Sequence, residues 1–155
     1  MENADSPERR IEGECFAGRV RILSRVATRI YDDVLRPHGV RVSQINVLAA
    51  VAARGPVPAS EICRRLRLDK STLSRDLDRL LERGWVRSTQ GAGRARDLEA
   101  TDSGRALIRA VLPAWDVAQE RARRVLGAAV TGGILEAVNA LEEACAYANR
   151  SSWSR

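Results

Sequence analysis

Aromatic residues are scarce in this chain: Phe, Trp and Tyr together make up 4% of its 155 residues. A protein that stacks nucleobases or sugars on an open platform needs several aromatic side chains, so this composition argues against such a platform. The 45% hydrophobic content is mostly aliphatic and favours packed helices. A chain of this length is expected to form one domain with its own core.

Long apolar runs are absent as well. No stretch reaches the ~18 apolar residues that a membrane span requires. The first fifteen residues also lack the charged-then-apolar layout of a secretion signal. The sequence therefore predicts a cytoplasmic protein with no membrane partner.

Cysteine and histidine are too few for most metal or catalytic sites. Cys15, Cys63 and Cys145 are odd in number and widely spaced, which argues against a disulfide framework and against a zinc site. His38 is the one histidine, and we find no nucleophile elbow, phosphate-binding loop or apolar carboxylate pair. The sequence predicts no catalytic residue, no metal and no cofactor.

Positive charge is concentrated in one quarter of the chain. The formal net charge is +6, and residues 58–96 hold ten Lys and Arg against five Asp and Glu, a net of +5. A basic surplus of this kind is typical of a polyphosphate-binding surface, although a solvated charged face is the alternative.

Two helical seams of apolar residues lie near the ends of the chain. The first belongs to a helix that ends before Pro37 and Gly39, and the second to a helix after Gly132-Gly133. The first seam comprises Phe16, Val20, Leu23, Ala27, Ile30 and Val34, and the second Ile134, Val138, Leu141, Cys145 and Ala148. A small central core cannot cover both seams, so they favour a dimer built from the two ends of the chain.

Helix start and stop signals divide the middle of the chain. Ser43, Asp69 and Thr101 are suited to cap helices, Pro58 to open a short helix, and Gly84 to end one. Residues 85–87 and 97–100 predict a β-hairpin with a Gly- and Arg-rich loop.

These signals predict a mainly α fold with a small β-hairpin. The layout is a winged helix-turn-helix of about residues 42–101 with long N- and C-terminal dimerisation helices of about 15–36 and 102–149. Residues 1–14 are polar, show no periodicity and predict a mobile arm.

The second helix of the helix-turn-helix decides whether this layout binds DNA. With its leucines buried, the opposite face displays Ser71, Thr72, Ser74, Arg75, Asp78 and Arg79. Small hydroxyls can enter a major groove and Arg75 can reach a guanine edge, whereas Lys70, Arg79 and Arg83 are placed for phosphates.

The hairpin loop is narrow and cationic, with Gly91, Gly93, Arg94 and Arg96, and is suited to a minor groove. The alternative is a winged-helix protein–protein interaction module without DNA binding, but a protein-binding surface more often carries apolar anchors there.

Three stretches resemble the MarR (multiple antibiotic resistance regulator) family. The core reads PASEICRRLRLDKSTLSRDLDRLLERGWVRSTQGAGRARDLEATDSGRALI, and the flanks read SRVATRIYDDVLRPHGVRVSQINVLAAV and LPAWDVAQERARRVLG. The similarity runs from about residue 15 to 149. It implies a homodimeric transcription regulator, usually a repressor, that binds a pseudo-palindromic operator in double-stranded DNA.

The resemblance also assigns individual residues. Ser71, Thr72, Ser74 and Arg75 match the family's recognition-helix contacts, and Arg94 matches its wing arginine. The family commonly has an acidic residue two positions before that arginine, where this chain has Ala92 in a shortened wing.

Family members often respond to a small aromatic acid or to oxidation of a cysteine near the start of the first helix. Cys15 is placed as that redox sensor, with an ordinary half-buried thiol as the alternative. Tyr31, His38 and Trp115 are the candidate residues of a pocket for a small-molecule effector, with apolar packing or a loop position as the alternative.

Overall fold

The computed structural model describes residues 6–91 and 96–151, with side chains up to Leu141. Within these ranges the chain is mainly helical, with one small antiparallel sheet. The elements are α1 (Pro7–Glu14), α2 (Phe16–Leu35), a 3-10 turn (Arg36–His38), α3 (Val42–Ala52), β1 (Val57–Pro58), α4 (Ala59–Leu66), α5 (Lys70–Glu82), β2 (Val86–Gln90), β3 (Arg96–Ala100), α6 (Asp102–Leu126) and α7 (Ala128–Ser151). The predicted winged helix-turn-helix architecture is confirmed.

Helix α1 occupies part of the predicted mobile arm. Pro7 stands in the first turn, where its missing N–H is not needed, and the Ser6 hydroxyl accepts from the backbone N–H of Arg9 at 3.4 Å. No residue of α1 is buried. Cap signals rather than apolar periodicity form this helix, so the lack of periodicity did not indicate it.

Helix α3 begins one residue before the predicted cap, so the assignment of Ser43 as its N-cap is wrong. Arg41 is the N-cap, and its backbone N–H donates to the Gln44 side chain at 3.0 Å. Asp32 of α2 accepts from the next backbone N–H, that of Val42, at 2.8 Å. A carboxylate from another helix thus meets an N–H that the local sequence leaves unpaired.

The turn of the helix-turn-helix lies at Arg67, which adopts a left-handed conformation at φ 53°. The chain continues with the N–H of Leu68 bonded to the carbonyl of Cys63 at 2.9 Å. Asp69 then caps α5, as predicted, and Gly84 follows it at φ 68°. Pro58, expected as the first residue of α4, is instead its N-cap and pairs in the sheet.

The wing is a three-stranded sheet of order β1-β3-β2 rather than a hairpin alone. Val57 pairs with Leu98, and β2 pairs with β3 from Val86–Ala100 to Gln90–Arg96. Both strands of the hairpin extend further toward its loop than predicted. A two-residue strand such as β1 shows no alternation in the sequence, so it could not be predicted.

The core of the lobe is aliphatic. Its largest fully buried side chains come from α3, α4, α5 and the wing and include Val47, Leu48, Val51, Ile62, Leu80 and Val86. Leu73 is also buried, whereas Leu81 is 36% exposed. This core fixes α5 against α3 and leaves its opposite face open.

A clasp of hydrogen bonds joins the end of α5 to the start of α6. The backbone N–H of Thr101 donates to the Trp85 carbonyl at 3.0 Å. The hydroxyls of Thr101 and Ser103 donate to the Gly84 carbonyl at 2.6 and 2.9 Å. A Cβ on Gly104 would lie 2.1 Å from the Trp85 carbonyl oxygen, so only glycine allows this approach.

Helices α2 and α6 pack along their length through Ile30, Ala118 and Ala122. Gly127, at φ 87°, separates α6 from α7, and the two helices meet at an angle of 112°. Helix α7 starts at Ala128, so Gly132-Gly133 lie inside it and do not precede it as expected. None of the described helices is by itself long and apolar enough to cross a membrane, and only the bent α6–α7 pair meets that length and composition.

Candidate nucleic-acid interface

Asp69 organises the first turn of α5. Its carboxylate accepts from the Ser71 hydroxyl at 2.7 Å, and from the N–H and hydroxyl of Thr72, each at 2.8 Å. These donors, the Ser71 hydroxyl first, hold the pKa of Asp69 well below its usual range. The carboxylate is therefore charged at any pH in which the protein works.

The outward face of α5 presents hydroxyl and guanidinium groups together. Ser71, Ser74 and Arg75 are exposed, as is Lys70 at the helix start, while Thr72 is half-buried. Arg79 is exposed and pairs with Glu82 at 3.1 Å. Since Leu73 and Leu80 anchor the other side of the helix, this face is the part of α5 available to a groove.

Arg83 follows the helix and lies over an aromatic ring. Its guanidinium carbon is 5.7 Å from the centre of the Trp85 ring, within the range of a cation–π contact. The ring thus restrains the position of the guanidinium at the edge of the lobe.

The wing contributes exposed Arg96 at the start of β3. The neighbouring arginine on β2, Arg87, pairs across the sheet with Glu99 at 2.8 Å. Two positions of the wing lie outside the described residues. They are Ala92, where the chain departs from the family pattern, and Arg94, the predicted wing arginine.

A cavity of about 620 Å³ opens beside the recognition face, between α2, α3 and α5. It is lined by Asp32, Arg36, Gly39, Val40, Arg41, Gln44, Arg75 and Arg79. Four of these are arginines. Arg75 and Arg79 were assigned to DNA from the sequence, but Arg36 and Arg41 were missed, because only the fold brings the C-terminal end of α2 next to α5.

The residues predicted to line an effector pocket do not line this cavity. The Tyr31 hydroxyl donates to the Gln119 side chain of α6 at 2.5 Å, and burial raises its pKa. Trp115 is half-buried on α6, and His38 is half-buried in the 3-10 turn. Tyr31 therefore has a role in packing α2 against α6.

Cys15 stands at the N-cap of α2 and is exposed, whereas the alternative expected it half-buried. Its sulfur accepts from the backbone N–H of Gly18 at 3.4 Å. The Arg19 guanidinium, one turn on, donates to the Gly13 carbonyl at 2.7 and 3.1 Å and so joins α2 to α1. Cys63 is half-buried at the edge of the lobe core.

Large apolar side chains stay exposed on the helices outside the lobe. Phe16 is 81% exposed on α2, and the described part of α7 exposes Val130, Ile134, Leu135, Val138 and Leu141. In a single copy, Phe16 and Val20 of the first predicted seam and the described residues of the second seam are exposed, whereas Ile30 of the first seam is buried against α6. In the described residues no group of three or more His, Cys, Asp and Glu is arranged to hold a metal ion.

This chain is similar in sequence to a known family and to known regulators. A sequence model of the MarR family matches residues 38–96. The HTH-type transcriptional regulator PecS of Dickeya dadantii is 29% identical over 113 residues, which cover 70% of this chain and 68% of PecS.

Two solved structures have the same fold. One is a mutant of MarR from E. coli complexed with operator DNA, with a TM-score of 0.73 at 18% identity, covering 85% of this chain and 96% of that one. The other is BpsR of Bordetella bronchiseptica, whose DNA binding is regulated by 6-hydroxynicotinic acid. It has a TM-score of 0.70 at 18% identity and covers 83% of this chain and 94% of BpsR.

Proposed function

We propose that this chain is a winged helix-turn-helix transcription regulator of the MarR family, which represses transcription as a homodimer on a pseudo-palindromic operator. It is a DNA-binding regulator and not an enzyme. A regulator acts where the chromosome lies, so the proposed location is the cytoplasm.

The outward face of α5 carries this proposal. Ser71, Ser74 and Arg75 are exposed on one side of a helix whose other side is locked into the core. A recognition helix reads base edges in the major groove with residues near its N-terminus, and arginine is the side chain that binds guanine through two hydrogen bonds. Lys70, Arg79, Arg83, Arg94 and Arg96 are the proposed phosphate and minor-groove contacts.

The exposed seams support the homodimer. Phe16 and the apolar residues of the described part of α7 are exposed in a single copy, and exposed apolar side chains clustered along a helix favour a protein interface. A twofold dimer would cover it with the same surface of a second copy, and would set two recognition helices about one DNA turn apart, ~34 to 36 Å.

Selection of bound sequences from random duplex DNA by the purified protein tests the proposal. We expect an enriched site with inverted symmetry, and binding that weakens steeply as salt rises. A protein–protein module, the alternative, would enrich no sequence. That result would overturn the proposed function.

The arginine-lined cavity is the proposed site of a small anionic effector. An anion held there by Arg36 and Arg41 would also engage Arg75 and Arg79, which the DNA needs. The acid that regulates BpsR is of this chemical kind. Thiol oxidation at Cys15 is the second proposed route to release.

The effector proposal is tested with 6-hydroxynicotinic acid as the probe. We expect the acid to weaken operator binding by the wild type and to have less effect on Arg41→Gln, since Arg41 lies off the recognition helix. Equal responses of the two proteins would place any effector elsewhere.

A further inference from the structure

Two hydroxyl groups in the first turn of α5, those of exposed Ser71 and half-buried Thr72, have already used their protons. The Ser71 hydroxyl donates to one oxygen of Asp69 at 2.7 Å, and the Thr72 hydroxyl donates to the other at 2.8 Å. The carboxylate is charged and has no proton to give, so each hydroxyl must be the donor. A hydroxyl has only one proton, and each oxygen is left with lone pairs.

Ser74 offers a comparison on the same face. Among the residues that the structure describes, its hydroxyl has no hydrogen-bond partner, so it can rotate and either donate or accept. Ser71 and Thr72 differ from Ser74 because a neighbouring charge fixes the direction of their hydrogen bonds.

We propose that Asp69 fixes Ser71 and Thr72 as hydrogen-bond acceptors toward DNA, so that the base edges they meet carry amino groups. In the major groove these are N6 of adenine and N4 of cytosine. The oxygen atoms of guanine, thymine and phosphate are acceptors and would face lone pairs. Asp69 is thus a positioning residue for sequence preference, an inference that rests on the proposed function.

The variant Asp69→Asn separates the two hydroxyls. The backbone N–H of Thr72 bonds the same Asp69 oxygen as Ser71, so the amide oxygen of Asn will take that position. The amide NH₂ then faces the Thr72 hydroxyl and donates to it, which frees the Thr72 proton to point outward. The Ser71 hydroxyl still donates to the side-chain oxygen of residue 69. Asn is as good an N-cap as Asp, so the helix should remain formed.

The experiment is selection from random duplex DNA with the wild type, Asp69→Asn, Ser71→Ala and Thr72→Val. The last two variants identify the base position that each hydroxyl reads. We expect adenine or cytosine at both positions in the wild-type site. In the site selected by Asp69→Asn, the base read by Thr72 should change to one that presents a hydrogen-bond acceptor. The base read by Ser71 should stay the same.

Asp76→Asn is the matched control. It removes the same charge from the same helix and alters a carboxylate–serine bond, that from Ser43 at 3.1 Å, away from the helix start. It should leave the base preference at both positions as in the wild type. A change common to both Asn variants would reflect charge or stability and would overturn the proposal.

A base analogue gives an independent readout. Purine in place of a preferred adenine removes only the N6 amino group, and should weaken wild-type binding by about tenfold. Thr72→Val should show no such loss at its own position.

The outcomes separate this inference from the proposed function. No enriched site for the wild type would overturn both. An enriched site whose Thr72 position is unchanged in Asp69→Asn, or is insensitive to Thr72→Val, would overturn the inference and leave the function standing.

Discussion

Arg75 and Arg83 have different surroundings, which gives them different expected roles. Arg75 is on the outward face of α5, whereas Arg83 lies past the helix end over Trp85. We expect Arg75→Ala to weaken cognate binding by ~1 to 3 kcal/mol and to relax base preference at one position. Arg83→Ala should weaken all sequences alike and reduce the salt slope by about one.

Fluorescence anisotropy on cognate and random duplexes at several salt concentrations measures both effects. Arg83→Lys is the control, because it keeps the charge and should keep most of the slope. Identical losses for Arg75→Ala and Arg83→Ala on both duplexes would show that neither arginine reads a base.

Cys15 is exposed at the start of α2, next to the uncovered Phe16. Oxidation there adds a polar group beside the seam, which should alter the spacing of the recognition helices in a dimer. We expect an organic hydroperoxide to lower operator affinity at least about tenfold for the wild type and not for Cys15→Ser. Replacement of Cys63 or Cys145 should leave the response intact. If the wild type and Cys15→Ser keep equal affinity throughout, the thiol has no sensing role.

At the scale of secondary structure, Gly104 limits how α6 can begin. Its missing side chain allows contact with the Trp85 carbonyl, so Gly104→Ala must move backbone at the junction of α5, wing and α6. We expect a loss of ~1 to 3 kcal/mol in the free energy of unfolding, measured with denaturant. Gly13→Ala in α1, where a Cβ meets nothing within 4 Å, should cause no loss. Equal stability of the two variants would contradict the close approach.

The sequence predicted helix ends correctly where residues close in the chain determine them. Asp69, Gly84 and Thr101 act on groups within a few residues, and their positions were predicted from type and spacing. The start of α3 was predicted wrongly, because the side chain that meets the Val42 backbone N–H is Asp32 of another helix. Strand β1 exists only through its pairing with β3.

The same distinction divides the candidate site. The helical period of α5 predicted which side chains point outward: Ser71, Ser74, Arg75 and Arg79 are exposed, whereas Thr72 is half-buried. The arginine-lined cavity is assembled from three helices, so Arg36 and Arg41 gave no sequence signal. Tyr31 was predicted to line a pocket between the dimerisation helices and the DNA-binding lobe, with packing as the alternative, and its hydrogen bond to Gln119 depends on the α2–α6 contact.

For the whole molecule, the exposed seams predict the oligomeric state. We expect sedimentation velocity at micromolar concentration to show a dimer, and Val138→Glu to shift it toward monomer by burying a charge in the seam. Ala140→Glu, about 160° around α7 from Val138, should remain dimeric. A monomeric wild type would exclude the twofold arrangement. A dimer that survives Val138→Glu would place the contact on another surface.

The clasp at Gly84 also determines how movement travels through the molecule. The hydroxyls of Thr101 and Ser103 tie the end of the recognition helix to the first turn of α6. With 25 residues, α6 is about 37 Å long, and its first turn is joined to the DNA-binding lobe. A tilt of about 5° displaces its far end by roughly 3 Å, as follows from that length. Because the clasp joins the recognition helix to α6, we expect a rearrangement at the far ends of α6 and α7 to turn the recognition helix together with the start of α6.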